Sequence, residues 1–215
     1  MLAGLKLFTV LSAAGSVRPE VTWTHPALPR ILGLIPVDVE SLLDLGCGRG
    51  IVGALCRIYR APRRLVGLDA WEPYLSFCRE HRLYDELVRW DLNDLPLPFG
   101  DKEFDVVTAV EVIEHLPRAA GLQLLREAER VARRRVIVTT PQAFFEQKAY
   151  DGNPYQAHRS LWTWRDFARL GYRVYGAGSF LFSGRKVRWV SEYLSPFARK
   201  LFLSCAEFII AVKDL

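Results

Sequence analysis

The chain has 215 residues, half of them hydrophobic and a quarter charged, with 29 Lys+Arg against 24 Asp+Glu and a formal net charge of +5. That composition excludes wholesale disorder, and the length suits about one domain of the usual ~100–200 residues. The cysteines Cys47, Cys56, Cys78 and Cys205 form no C-x-x-C pair, which argues against a metal ribbon or disulfide framework and for a reducing, cytoplasmic setting.

The first seventeen residues are mostly apolar, with Lys6 the only charge. A secretory leader needs a basic start and an unbroken apolar core of ~7–15 residues; Lys6, Thr9 and Ser12 break this one. No stretch reaches the ~20 apolar residues that span a bilayer. Residues 1–40 are expected as an N-terminal arm or helices on a single domain. A cofactor-binding core over 41–141 follows, and acceptor-side loops with the last strands occupy 142–215.

Within the core the rhythm is strand, helix, strand, helix. Ser41–Leu45 is a short apolar run ending in glycines, hence a buried strand. Ile51, Leu55 and Ile58, with Ala54 and Tyr59, recur at helical spacing. Leu65–Leu68 is the next strand, Glu72–Arg82 a helix with Pro73 in its first turn, and Glu86–Trp90 a third strand. Phe104–Val110 is a fourth, Arg118–Ala132 an amphipathic helix, and Arg135–Thr139 a fifth strand stopped by Pro141. Beyond it the periodicity predicts a helix over Leu161–Leu170, a strand starting at Arg173 and a final strand over Glu207–Val212. Trp162, Trp164 and Phe167 are expected as its core face. Continuous apolar strands alternating with amphipathic helices mean an α/β fold: a mostly parallel sheet covered on both faces. Such sheets bind ligands at the carboxyl ends of their strands, at the switch point.

Asp44-Leu45-Gly46-Cys47-Gly48-Arg49-Gly50 joins the first strand to the first helix. Glycines at alternate positions let the backbone turn tightly and approach a ligand, and the helix behind them offers free N–H groups. Gly48, Gly50 and Gly53 also satisfy the dinucleotide pattern G-x-G-x-x-G. Asp44, however, would repel a pyrophosphate while attracting an ammonium group. Asp69 ends the second strand, at a distance that suits ribose hydroxyls. Asp91-Leu92 ends the third, where a carboxylate can accept from an adenine amino group. Cys47 reads as a small filler between glycines rather than a nucleophile.

Downstream, Phe104-Asp105-Val106-Val107 leads into Glu111-Val112-Ile113-Glu114-His115-Leu116. With these residues in order, the chain over roughly 42–141 resembles the class I S-adenosylmethionine-dependent methyltransferases of the type 11 sort. The resemblance implies a Rossmann-like seven-stranded sheet whose last strand runs antiparallel. It implies that Gly46, Cys47 and Gly48 cradle the methionine part with Asp44 nearby, that Asp69 and Ala70 meet the ribose, that Asp91 and Leu92 lie at the adenine, and that Glu111 borders the cofactor.

Methyl transfer needs alignment more than chemical assistance, and a base only where the acceptor must lose a proton. Candidates for that base are His115, His158 and Tyr155. Glu111, Glu114 and His115 are hard donors within one short turn, and some methyltransferases that this chain resembles hold a divalent cation with such a cluster. The spacing permits a cation without requiring it, and no metal ligand is assigned from the sequence. Asn153-Pro154-Tyr155 is similar to a base-methylating motif but follows the wrong strand.

Arg57, Arg60, Arg63 and Arg64 close one helix, and Arg130, Arg133, Arg134 and Arg135 another. These sit at helix C-termini, where cations complement the macrodipole, and on the sheet edge opposite the pocket. They are poor evidence for a nucleic-acid partner. The basic, aromatic stretch 180–204 is expected as a solvated face over core aromatics. The expected function is methylation of a small molecule from S-adenosylmethionine. Rivals are an NAD-dependent oxidoreductase, a non-catalytic cofactor binder, and a methyltransferase acting on RNA or protein.

Overall fold

Apolar runs become strands and striped segments become helices in the computed structural model, which describes residues 26–142, 146–149, 152–178, 203–204 and 206–215. Helix α1 (Leu28–Leu34) leads to β1 (Ser41–Leu45), α2 (Ile51–Tyr59), β2 (Arg64–Asp69), α3 (Glu72–Glu80), β3 (Glu86–Arg89) and β4 (Phe104–Val110). A 3-10 turn at Ile113–His115 precedes α4 (Arg118–Val131) and β5 (Ala132–Pro141). A second 3-10 turn at Pro154–Gln156 leads to α5 (Trp164–Arg169), β6 (Arg173–Ala177) and β7 (Phe208–Asp214).

The seven strands form one sheet in the order β3-β2-β1-β4-β5-β7-β6. All pairings are parallel except those of β7, which runs antiparallel to both β5 and β6. The last strand is therefore the reversed one, as expected. The chain leaves β1 toward β2 on one side and returns to β4 on the other, so the crevice between β1 and β4 is the switch point.

Alternate strand residues feed two cores. Leu43, Leu45, Val66, Val107 and Val136 face α4 (Leu124, Leu125, Ala128), while Leu42, Leu65, Val106 and Ile137 face α1, α2 and α3 (Ile31, Val52, Leu75). Each strand thus buries both faces, which is why its sequence is a continuous apolar run rather than an alternation.

Two elements differ most from expectation. The helix predicted from Leu161 starts at Trp164, because Thr163 caps it: the Thr163 N–H and hydroxyl both donate to Asp166 Oδ2, at 2.8 and 2.7 Å. Trp162 instead lies outside the helix, fully buried, against Gly121 of α4, where a Cβ would fall 2.6 Å from its ring. β5 is longer than Arg135–Thr139, because pairing with β7 holds it from Arg135 through Pro141. The apolar N-terminal stretch and most of the basic segment 180–204 lie outside the described residues. Among the described residues no helix is long and apolar enough to cross a membrane.

Candidate active site

The glycine loop is shaped by what presses on it from below. Gly46 (φ +63°) sits against Val112, whose Cγ2 would be 2.5 Å from an added Cβ. Gly53 lies against the Tyr84 ring, where a Cβ would come within 2.5 Å. Gly48 (φ +54°) differs: an added Cβ would meet nothing within 4 Å. The loop is therefore packed from beneath at Gly46 and Gly53 and open at Gly48, the position where a ligand can approach the backbone.

Asp44 stands under this loop and is 2% exposed. Its Oδ2 accepts from the Tyr84 hydroxyl at 2.6 Å and its Oδ1 from the Thr108 hydroxyl at 2.7 Å. Burial raises its pKa to about 6 against the lowering effect of those two hydrogen bonds. Tyr84 Oη also accepts from the Gly53 N–H at 3.2 Å. The third glycine of the G-x-G-x-x-G pattern is thus explained by a tyrosine that needs its place.

Asp69 ends β2 and spans the two adjacent loops. Its Oδ2 accepts from the Gly48 N–H at 2.9 Å and its Oδ1 from the Trp71 N–H at 2.8 Å. Burial pushes its pKa up, and these amides oppose the shift. A carboxylate oxygen accepts two hydrogen bonds, so each retains a lone pair for a ribose hydroxyl. Ala70 follows at the partly exposed rim. Asp91 forms a turn in which its Oδ1 accepts from both the Asn93 N–H and Nδ2, at 2.9 and 2.8 Å, and Leu92 is buried behind it. Cys47 is buried, and its hydrogen bond with Cys78 together with burial raises its pKa well above the usual thiol range, which disfavours the nucleophilic thiolate.

Beyond β4 the chain turns at Glu111, whose φ of +54° is left-handed. The next turn presents Glu114 and His115, and the segment after β5 folds back onto it. The Arg159 and Ser160 N–H groups donate to the Glu114 carbonyl at 2.7 and 3.0 Å. His158 is thereby brought beside His115, with ring centroids 5.0 Å apart. One ligand atom each from Glu114, His115 and His158 lie within 4.8 Å of one another. The Ala157 carbonyl contacts His115 Nδ1 at 3.3 Å. A carbonyl only accepts, so Nδ1 carries the hydrogen and Nε2 presents a lone pair. That Nε2 lies 4.0 Å from Glu114 Oε1. Glu114 Oε2 is buried with no hydrogen-bond partner among the described residues. Burial, with the Glu111 charge, pushes the Glu114 pKa well up, and burial holds His115 below its ordinary value.

Of the three candidate bases, His115 and His158 are brought together. Tyr155 is not in the trio; it lies in the 3-10 turn, 39% exposed, with its N–H on Asn153 Oδ1. Tyr84, Thr108 and Thr139 carry no signal in the sequence beyond an apolar context. The arginine clusters are engaged by acids of this chain: Arg64 by Glu86 and Glu103, Arg130 by Glu127 and Asp101, Arg133 by Asp105, Arg134 by Asp38 and Arg135 by Asp214.

Residues 43–139 match a family model described as a methyltransferase domain. That span runs from the start of the glycine loop's strand to the strand behind Glu111. Over this span, a little under half of the chain, it is similar to the S-adenosylmethionine-dependent methyltransferases. Their methyl donor is S-adenosylmethionine. An S-adenosylmethionine-dependent methyltransferase from Archaeoglobus fulgidus superposes with a TM-score of 0.60 at 19% identity, over 97% of this chain and 99% of that one. Another from Mesorhizobium loti gives 0.59 at 18% identity, over 90% of this chain and 100% of that one. In sequence, a ubiquinone biosynthesis O-methyltransferase of Hydrogenovibrio crunogenus is 30% identical over 89 residues, 40% of this chain and 36% of its own length. A fatty-acid O-methyltransferase of Mycolicibacterium smegmatis is 39% identical over 85 residues, 38% of this chain and 30% of its own length. The match to these curated relatives thus spans only about a third of their length.

Proposed function

We propose that this chain transfers the methyl group of S-adenosylmethionine to a hydroxyl oxygen of a small-molecule acceptor, with a divalent cation at Glu114, His115 and His158. One observation carries this proposal: along one edge of the sheet, Asp91 after β3, Asp69 at the end of β2, the open backbone of Gly48 after β1 and the Glu114–His115–His158 trio beyond β4 follow one another. The first three suit a nucleoside whose methionine end lies on the loop. The trio suits the acceptor.

The acceptor oxygen attacks the methyl carbon, the carbon–sulfur bond breaks, and its electron pair returns to sulfur, leaving S-adenosylhomocysteine. The hydroxyl proton must depart, and it passes to solvent water. A bound cation would lower the pKa of that hydroxyl and orient it. The residues fit such an ion. His115 is fixed by the Ala157 carbonyl in the tautomer that ligates, and Glu114 Oε2 is a buried acceptor with no hydrogen-bond partner within distance among the described residues. Oxygen with imidazole is a donor set that first-row divalent ions accept. Glu111 adds negative charge close by, and Tyr155 stands on the rim as an acceptor contact.

An oxygen acceptor of small size is supported by the names of the relatives, ubiquinone biosynthesis and fatty-acid O-methyltransferases. A nucleic acid gains no support from the arginines, which pair within the chain on the opposite edge. The free, buried Cys47, Cys56 and Cys78 favour a reducing cytoplasm. The test is a titration of chelator-treated protein with Mn2+, read by the loss of its free-ion paramagnetic resonance signal. Binding that is lost in Glu114→Gln and His158→Ala is expected. Binding indifferent to both variants contradicts the cation assignment.

A further inference from the structure

Resting on the cation assignment above, we propose that Thr139 is a positioning residue: its hydroxyl clamps Glu111 at both ends and sets where that carboxylate stands beside the trio. Thr139 lies near the carboxyl end of β5 and is fully buried. Its Oγ1 donates to Glu111 Oε1 at 2.7 Å and accepts from the Glu111 N–H at 3.2 Å. The same N–H also reaches the Thr139 carbonyl at 3.2 Å.

Glu111 needs such a clamp. Its φ of +54° is a conformation that a residue other than glycine keeps only where its surroundings over-determine it. Strained residues of this kind cluster at functional sites. The corner it forms serves both halves of the site. The next residue, Val112, presses on Gly46 of the donor loop. Glu114 and His115 follow within one turn, and the Glu111 charge acts on both. A side chain elsewhere on the sheet thus bonds the carboxylate and the backbone of the corner together. Partners that orient the groups around a metal change its affinity when they are removed, typically by about 10–100-fold.

Valine and serine separate positioning from mere packing. Thr139→Val keeps shape and burial but removes the hydroxyl. Thr139→Ser keeps the hydroxyl but removes a buried methyl. With Mn2+ as probe, Thr139→Val should bind about tenfold or more weakly, read well below its own melting temperature, which the lost hydrogen bonds lower. Thr139→Ser should melt lower yet hold Mn2+ within about twofold, since the hydroxyl bonds survive. In a Glu111→Ala background, Thr139→Val should change Mn2+ affinity no further, because the carboxylate whose place it sets is gone. Should Thr139→Val fail to fold, Thr139→Ala replaces it in both backgrounds. Unchanged Mn2+ affinity in the hydroxyl-free variant, or an equal loss with and without Glu111, overturns the role of Thr139 while leaving the cation in place. No Mn2+ binding by the unsubstituted protein overturns the cation assignment itself, and this inference with it.

Discussion

Tyr84 and Asp44 form a buried pair, hydroxyl to carboxylate at 2.6 Å, across 40 residues of sequence. The pair holds the glycine loop from below, because the same tyrosine oxygen accepts from the Gly53 N–H. Thr108 secures the other Asp44 oxygen. Removing the tyrosine hydroxyl leaves a buried carboxylate oxygen and a buried N–H short of a partner. Tyr84→Phe should cost about 1–3 kcal/mol of stability, measured by denaturant unfolding. A cost near zero would mean that the hydroxyl is replaceable.

The same pair predicts a pH dependence. Burial raises the Asp44 pKa from 3.8 to about 6, so the folded state binds its proton more tightly than the unfolded state. The stabilising contribution is complete below the unfolded value and is lost as pH rises through the folded one. It amounts to about 3 kcal/mol, spread over the range between the two values. Asp44→Asn removes the titrating group. The stability difference between Asp44→Asn and the unsubstituted protein should therefore shift in favour of the variant as pH rises from 4 to 7, and level off above. A difference independent of pH would place the Asp44 pKa near its ordinary value.

Three glycines of the loop region should separate by phenotype. Gly53→Ala drives a Cβ to 2.5 Å from the Tyr84 ring, and Gly46→Ala drives one to 2.5 Å from Val112. Both are overpacking changes costing about 1–3 kcal/mol. Gly48→Ala meets no atom of the protein within 4 Å and incurs only the left-handed backbone cost of about 1–2 kcal/mol. Its added methyl occupies the ligand's space. Gly48→Ala should therefore lose S-adenosylhomocysteine affinity out of proportion to its melting temperature, whereas Gly53→Ala should lose stability first. Calorimetric titration alongside thermal melts reads both quantities.

The sheet was legible in the sequence because its strands are buried on both faces and so read as nearly continuous apolar runs. Residues 42–45, 65–68 and 104–110 mark it without ambiguity. The glycines and the strand-end aspartates were legible for a related reason: they fall where strands stop, and few residue types tolerate those turns. What escaped depends on contacts between distant segments. Tyr84 reads as one more apolar residue until α2 and β2 lie beside it. His158 joins His115 only because the 157–160 backbone docks on the Glu114 carbonyl. The start of α5 was missed because Trp162 fits the helical stripe yet packs on Gly121 from outside the helix.

Asp69 offers the most direct measurement, since it links Gly48 to Trp71 and faces the place assigned to the ribose. Parallel calorimetric titrations with S-adenosylhomocysteine and with NAD should show binding of the first and none of the second, and Asp69→Ala should weaken the first by about 1–3 kcal/mol. Binding of NAD alone, or S-adenosylhomocysteine affinity untouched by Asp69→Ala, would contradict the placement of the donor across these strand ends.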